Sequence, residues 1–174
     1  MSLGTPSTST KQMYNLCLAA LFLGLNIAAS SVSIPVPGGH FYLNDVVICT
    51  GSLLLSPLYA TLVGGIGAFL GDFFFYPAPM FVSLVVRGLQ AFAISMIVNK
   101  TNKRKQKYGI LGVSVGAVIM VVGYTFGRAF IYSTREYAIL KLPFQIVMAV
   151  IGAAAAIILV YVLKLGRIKD KYLS

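Results

Sequence analysis

The sequence is poor in charge, poorest in acidic residues, and lacks two motifs that are common in enzymes. Only 10% of its 174 residues are charged, whereas a soluble domain carries roughly 25%. Four residues are acidic, one is histidine and none is tryptophan. No segment matches the phosphate-binding pattern G-x-x-x-x-G-K-[S/T] or the metalloprotease pattern H-E-x-x-H. These absences predict a protein that binds rather than converts its ligand, with no catalytic residue, no metal and no other cofactor.

Hydrophobic residues are abundant instead, at 58% of the chain with a mean hydropathy of +0.87. That leaves too little polar surface to cover a soluble core. A helix that crosses a bilayer needs ~20 mostly apolar residues, and most of the chain divides into segments near that length. The composition predicts an all-α integral membrane protein, a bundle of six transmembrane helices that forms a single domain over residues 1–174.

The boundaries of the predicted spans follow from segments rich in proline, glycine or charge. The six spans cover residues 13–30, 42–56, 57–75, 80–98, 109–131 and 143–163. Residues 31–41 are predicted to be a loop and 133–142 a polar linker. Spans two and three are separated at Ser56-Pro57, because proline suits the first turn of a helix and a single helix over both would be ~50 Å long.

Basic residues are concentrated at two places, which predicts the orientation in the membrane. The net charge is +10, and most of it lies in the loop 99–108 and the tail 165–174. Such clusters beside apolar spans are typical of cytoplasmic segments, so no nucleic-acid partner is expected. We predict a multi-pass protein of the plasma membrane with both termini in the cytoplasm, residues 1–12 being a cytoplasmic tail.

Four ionisable residues fall inside or at the edges of the predicted spans, and we take them as candidate site residues. Ionisable side chains are costly in hydrocarbon and by default indicate a functional site. With the predicted orientation, all of them lie in the outer half of the membrane. They are Asp45, Asp72, Arg87 and Arg128.

Polar and aromatic neighbours at the same level complete the candidate site. Tyr76 follows Asp72 by four residues, as Arg128 follows Tyr124, and residues at this spacing share a helix face. The added candidates are Asn26, His40, Tyr42, Asn44, Tyr76 and Tyr124. Aromatic walls with a few polar groups are typical of small-molecule pockets. The alternative is structural, with Asp72–Arg87 or Asp45–Arg128 as buried pairs and the tyrosines as interfacial residues. Two acids and two arginines sum to zero charge, which favours a neutral or zwitterionic ligand.

Small residues recur every four positions on the first span, at Ala20, Gly24 and Ala28. Small-xxx-small faces let helices approach closely in lipid. This face is therefore predicted to be open for docking a partner.

Three stretches resemble the substrate-binding S components of energy-coupling factor (ECF) vitamin transporters. They are residues 42–47 (YLNDVV), 58–72 (LYATLVGGIGAFLGD) and 87–89 (RGL). The chain is most similar to the riboflavin-type and the hydroxymethylpyrimidine/pyridoxine-type members. The resemblance implies capture of a vitamin at the outer side and delivery with a shared module of one transmembrane coupling protein and two ATPases. It also implies that Ala20, Gly24 and Ala28 contact the coupling protein, with Gly24 in place of an alanine.

Among vitamins we expect hydroxymethylpyrimidine or pyridoxine, because the candidate site sums to zero charge. Riboflavin is the alternative: the chain has no tryptophan to stack a flavin, although tyrosine and phenylalanine are available. Two other classes remain open at this stage, a stand-alone membrane facilitator and a structural membrane subunit without a ligand.

Overall fold

The computed structural model describes residues 8–36, 39–100 and 106–163, and for residues 8–11, 33–36 and 39–42 it describes the backbone alone. Six helices and one two-stranded hairpin make up this part of the chain. In chain order they are α1 (Thr8–Ser31), β1 (Ser33–Val36), β2 (Gly39–Tyr42), α2 (Asn44–Leu54), α3 (Pro57–Phe75), α4 (Met80–Lys100), α5 (Gln106–Gly127) with a π-helical turn at Arg128–Tyr132, and α6 (Arg135–Ile157) with a π-helical turn at Ile158–Val162.

Five of these helices are long and apolar enough to cross a membrane, so the prediction of a helical membrane protein is confirmed but its six spans are not. The exception is α2, which has 11 residues and is therefore only ~16 Å long at ~1.5 Å per residue. The predicted tight turn between spans two and three is present, since α2 ends at Leu54 and α3 begins at Pro57. The second predicted span is thus a short helix inserted into the bundle.

The predicted loop 31–41 contains a β-hairpin, and Tyr42 belongs to this hairpin rather than to a helix. Strands β1 and β2 pair antiparallel, with Val36 opposite Gly39. Isoleucine, valine and aromatic residues favour strands, and the Pro37-Gly38 dipeptide between the strands is a turn signal. The segment that was predicted to be a loop therefore contains two paired strands.

The start of α6 also differs from the prediction, which placed a linker over 133–142 and the helix start at Pro143. The helix begins at Arg135, and the hydroxyl of Thr134 accepts a hydrogen bond from the backbone N–H of Tyr137 (3.3 Å). Such a side-chain cap stabilises a helix start, and Glu136 adds a favourable negative charge to the first turn. Pro143 lies inside the helix, a position that membrane helices tolerate.

The predicted polar ends of the chain overlap with helices where the structure describes them. Helix α1 begins at Thr8, within the predicted tail 1–12. Helix α4 extends to Lys100 and α5 begins at Gln106, so both enter the predicted loop 99–108. Residues 1–7, 101–105 and the predicted tail 165–174 lie outside the described residues.

The turn between α2 and α3 is buried, and α4 supplies its hydrogen bonds. Leu55 is fully buried, and its carbonyl accepts from Ser95 Oγ (2.6 Å) and from Asn99 Nδ2 (3.2 Å). Irregular backbone at membrane depth is stable only when protein groups satisfy it. These contacts explain how a short helix can end inside the bundle.

Helices α1 and α3 approach closely around Gly67, and a substitution there is expected to be destabilising. Asn26 Nδ2 donates to the carbonyl of Val63 (2.9 Å), and a Cβ added at Gly67 would lie 2.5 Å from that nitrogen. Gly67→Ala is therefore expected to lower the free energy of unfolding by ~1–3 kcal/mol, as overpacking does. Gly24→Ala on the same pair of helices is the control, because a Cβ at Gly24 meets nothing within 4 Å. Thermal unfolding in detergent should show a loss for the first variant alone, and equal melting temperatures would contradict the close approach.

Candidate functional site

A polar cavity of about 270 Å³ lies among α2, α3, α4, α5 and α6. Its walls combine acidic, basic, amide and tyrosine side chains from all five helices. They are Asn44, Asp45, Asp72, Tyr76, Pro79, Arg87, Met120, Tyr124, Arg128, Tyr132, Tyr137, Lys141, Gln145 and Met148. A concave site with a few polar groups among aromatic ones is the usual arrangement for binding a small molecule.

One wall is built around a buried ion pair between Asp45 in the first turn of α2 and Arg87 on α4. Each residue is 5% exposed. Gln90, one turn after Arg87, braces both partners: its Oε1 accepts from Arg87 Nη1 (3.0 Å), and its Nε2 donates to Asp45 Oδ1 (3.3 Å). Hydrogen bonds to the remaining atoms of both charges are what makes a buried ion pair tolerable.

The structure forms neither of the ion pairs considered from the sequence, Asp72–Arg87 and Asp45–Arg128. Within the described residues, Asp45–Arg87 is the single ion pair. Helix α2 packs directly against α4, which brings Asp45 to Arg87. The sequence could not show this, because the pairing depends on which helices are neighbours.

Tyr124 on α5 lies between the two arginines of the cavity. Its hydroxyl accepts from Arg87 Nε (3.3 Å) and is 2.5 Å from the hydroxyl of Ser83. The guanidinium carbons of Arg87 and Arg128 are 5.2 and 5.7 Å from the centre of the tyrosine ring. Both cations are within the range in which the ring face attracts them.

Arg128 is held by an amide rather than by a carboxylate. It donates to Oε1 of Gln145, and Gln145 Nε2 donates in turn to the carbonyl of Met120 (3.1 Å). Arg128 is the first residue of the π-helical turn that ends α5, and such turns are frequent at functional sites. Among the described residues, no carboxylate forms an ion pair with Arg128.

The structure brings together seven of the ten residues predicted for the site. Those that line the cavity are Asn44, Asp45, Asp72, Tyr76, Arg87, Tyr124 and Arg128. Asn26 does not, because it is fully buried between α1 and α3 and bonded to Val63. The backbones of His40 and Tyr42 form part of β2, but their side chains lie outside the described residues.

Helix α6 contributes four lining residues that the sequence analysis missed: Tyr137, Lys141, Gln145 and Met148. They follow one another at intervals of four, four and three residues and therefore share one helix face. The missed signal was the helix cap at Thr134, without which the first two were assigned to a linker. Met120 and Pro79 were also missed.

Lys141 changes the charge of the site. Three basic and two acidic residues line the cavity, so its formal charge is +1 rather than zero. Lys141 Nζ lies 5.3 Å from the centre of the Tyr137 ring. The zero sum that favoured a neutral or zwitterionic ligand therefore does not hold for the assembled site. No group of three or more metal-ligating side chains occurs among the described residues.

The small-residue face of α1 is turned away from the cavity and from the bundle. Ala20, Gly24 and Ala28 are all exposed. The opposite side of the helix carries the buried residues Ala19 and Asn26, which pack towards α2 and α3. A second helix can therefore reach this face without any rearrangement of the bundle.

Comparison with known families gives one match that covers almost the whole chain. The sequence model of the family described as "ECF-type riboflavin transporter, S component" matches residues 8–165. None of the curated proteins matches the chain.

Proposed function

We infer that this chain, which belongs to the family of ECF-type riboflavin transporter S components, binds riboflavin in the polar cavity. Family membership confirms the predictions that it is an S component and that it is not an enzyme. It is thus the substrate-binding membrane subunit of an ECF transporter. The main support for riboflavin as the ligand is the family match over residues 8–165.

The chemistry of the cavity supports a flavin. Riboflavin has a flat aromatic ring system with carbonyl and N–H groups, and a chain of hydroxyls. Tyr76, Tyr132 and Tyr137 offer aromatic faces for such a ring. Asn44 has a buried Oδ1 that is unpaired among the described residues, and buried polar atoms normally have a partner. We propose that this oxygen accepts a hydrogen bond from the ligand.

The cavity volume supports the smaller vitamins as a second candidate. At about 270 Å³ it is slightly below the ~300–1,000 Å³ usual for ligand pockets. Pyridoxine and hydroxymethylpyrimidine, the ligands expected from the sequence, are much smaller than riboflavin. A stand-alone facilitator is disfavoured, because an S component works with an ATP-driven module.

Titration of the purified protein separates these ligands. Riboflavin is fluorescent, and its fluorescence should be quenched in a saturable way on entry into a tyrosine-lined cavity. Pyridoxine or hydroxymethylpyrimidine in large excess should not displace it. Displacement by either compound at low concentration would assign the cavity to a small heterocycle, and the absence of riboflavin quenching would contradict riboflavin as the ligand.

Arg128→Ala is expected to weaken riboflavin binding about fivefold or more. The change removes a cation from the cavity and leaves Gln145 Oε1 without its donor, a cost of ~1–3 kcal/mol. Lys100→Ala is the control, because Lys100 is an exposed cation at the C-terminal end of α4 and outside the cavity. Equal affinities for the two variants would remove Arg128 from the proposed site.

We further propose that both termini and the basic loop 99–108 face the cytoplasm, which places the polar cavity in the outer half of the membrane. Single cysteines at Lys103 and Lys169, in a protein whose Cys17 and Cys49 have been replaced, should be protected from an impermeant thiol reagent added to intact cells. A cysteine at Gly38 should react. Labelling at position 103 from outside would reverse the proposed orientation and with it the side from which the cavity is loaded.

A further inference from the structure

An apolar groove of about 230 Å³ lies between α5 and α6. All of its lining residues are alanine, valine or isoleucine. Ala117 and Ala149 form its floor, and their small side chains leave a depression between larger neighbours. Val118 and Val122 on its rim are 63% and 62% exposed, so the groove opens outward. In a membrane-spanning chain such a surface meets lipid rather than water.

Exposed side chains extend the groove along α5 toward its C-terminal end. Val118, Val122, Phe126 and Phe130 follow at intervals of four residues and are all exposed. The rings of Phe126 and Phe130 contact each other, with centroids 4.9 Å apart. One side of the groove thus continues as an apolar stripe to the end of the helix.

A matching stripe runs along α6 and begins with a cation. Ile139, Ile146 and Val150 are exposed and lie on one helix face with Arg135. The guanidinium carbon of Arg135 is 5.2 Å from the centre of the Phe130 ring. Arg135 therefore lies next to the last residue of the α5 stripe, at the N-terminal end of α6.

The distance between the cation and the groove corresponds to one leaflet of a bilayer. Ile146 and Val150 follow Arg135 by 11 and 15 residues, or ~16–22 Å along the helix. Half of a hydrocarbon core that is ~30 Å thick is ~15 Å. When Arg135 lies at the level of the lipid headgroups, the groove lies at the depth that the end of an acyl chain from the same leaflet reaches.

The positive charge of Arg135 favours a lipid with a negatively charged headgroup. Within the described residues the single ion pair is Asp45–Arg87, so Arg135 forms none, including with the adjacent Glu136. A basic residue near an anionic membrane surface gains ~1 kcal/mol. A cation above an apolar groove of this length fits a phospholipid with a net negative headgroup.

We propose that the α5–α6 groove is a binding site for an anionic phospholipid, with the headgroup at Arg135 and an acyl chain between the two helices. The groove shares a wall with the polar cavity: Met120 and Gln145 face the cavity, and the next residues, Val121 and Ile146, face the groove. A bound acyl chain therefore packs against the back of the wall that holds Arg128.

The absence of tryptophan from the chain allows a direct test with a single reporter. Val122→Trp places the reporter at the groove, and Val85→Trp on α4 places it on another exposed surface. Both proteins are reconstituted in membranes that contain either phosphatidylglycerol or phosphatidylcholine with brominated acyl chains, which quench tryptophan on contact. Brominated phosphatidylglycerol should quench Trp at position 122 more strongly than brominated phosphatidylcholine, whereas the two lipids should quench alike at position 85.

Removal of the cation tests the headgroup contact in the same membranes. Arg135→Gln, combined with Val122→Trp, should reduce the preference for phosphatidylglycerol about fivefold. Lys107→Gln is the matched control, because Lys107 also lies over a ring, that of Tyr108 (5.1 Å), but at the other end of α5. The proposal is overturned if positions 122 and 85 show the same lipid dependence, or if the preference at 122 survives Arg135→Gln. Neither measurement involves a vitamin, so the result is independent of the proposed ligand.

Discussion

Arg87→Leu is expected to lower the free energy of unfolding by about 3–5 kcal/mol, the usual cost of breaking a buried ion pair from one side. The loss arises because the carboxylate of Asp45 would stay buried, with Gln90 as its one remaining side-chain hydrogen-bond donor among the described residues. The double variant Asp45→Asn/Arg87→Leu removes both charges and should recover most of the stability. Denaturant titration of the protein in detergent measures both changes.

The two variants also separate stability from ligand binding. The double variant should fold yet bind riboflavin poorly, since Asp45 and Arg87 both line the cavity. Arg87→Lys keeps the charge but loses the fork of donors that reaches Asp45, Gln90 and Tyr124. Its free energy of unfolding should therefore lie between those of Arg87→Leu and of the double variant. A double variant as unstable as Arg87→Leu would mean that packing, rather than the unpaired carboxylate, causes the loss.

Gly24→Trp is expected to abolish assembly with the coupling protein and the two ATPases, while the isolated chain keeps its affinity for the vitamin. A Cβ at Gly24 meets nothing within 4 Å, so the bundle tolerates the larger residue. A partner helix that approaches this small-residue face would be blocked, because close contact in lipid depends on small side chains. Co-purification with the module and ligand titration of the isolated protein measure the two effects.

The matched control is Val85→Trp, which adds the same bulk to an exposed position on α4. It should assemble normally. Normal assembly of Gly24→Trp would show that the coupling protein docks elsewhere, and a loss of ligand affinity in that variant would show that α1 is part of the binding site.

The membrane class and most helices could be predicted because hydropathy and proline positions act locally along the chain. The start of α3 at Pro57 is an example, since the proline and the length limit on a membrane helix both favour a break there. The start of α6 was missed although its cap is also local. Charged residues after Thr134 resembled a linker, whereas in the folded chain Lys141 lines the cavity and Arg135 lies beside Phe130.

Asn26 illustrates the limit of sequence reasoning about the site. A polar residue inside a span is a reasonable candidate for ligand binding, but it can equally bond a neighbouring helix. The choice depends on the rotation of α1 about its axis, which turns Asn26 toward Val63 and the small-residue face outward. Gly67 permits this contact by leaving room for the amide.

The sequence alone determined that the chain is a helical membrane protein, that it resembles ECF S components and that Asp45, Arg87 and Arg128 lie in its apolar segments. These properties depend on composition, on spacing within one helix and on local motifs. The tertiary structure decided that Asp45 pairs with Arg87, that Gln145 holds Arg128 and that α6 supplies a wall of the cavity. Each of these contacts joins residues on different helices, so it depends on which helices are neighbours and how each is rotated, and the interhelical packing that sets both is not encoded in any single segment.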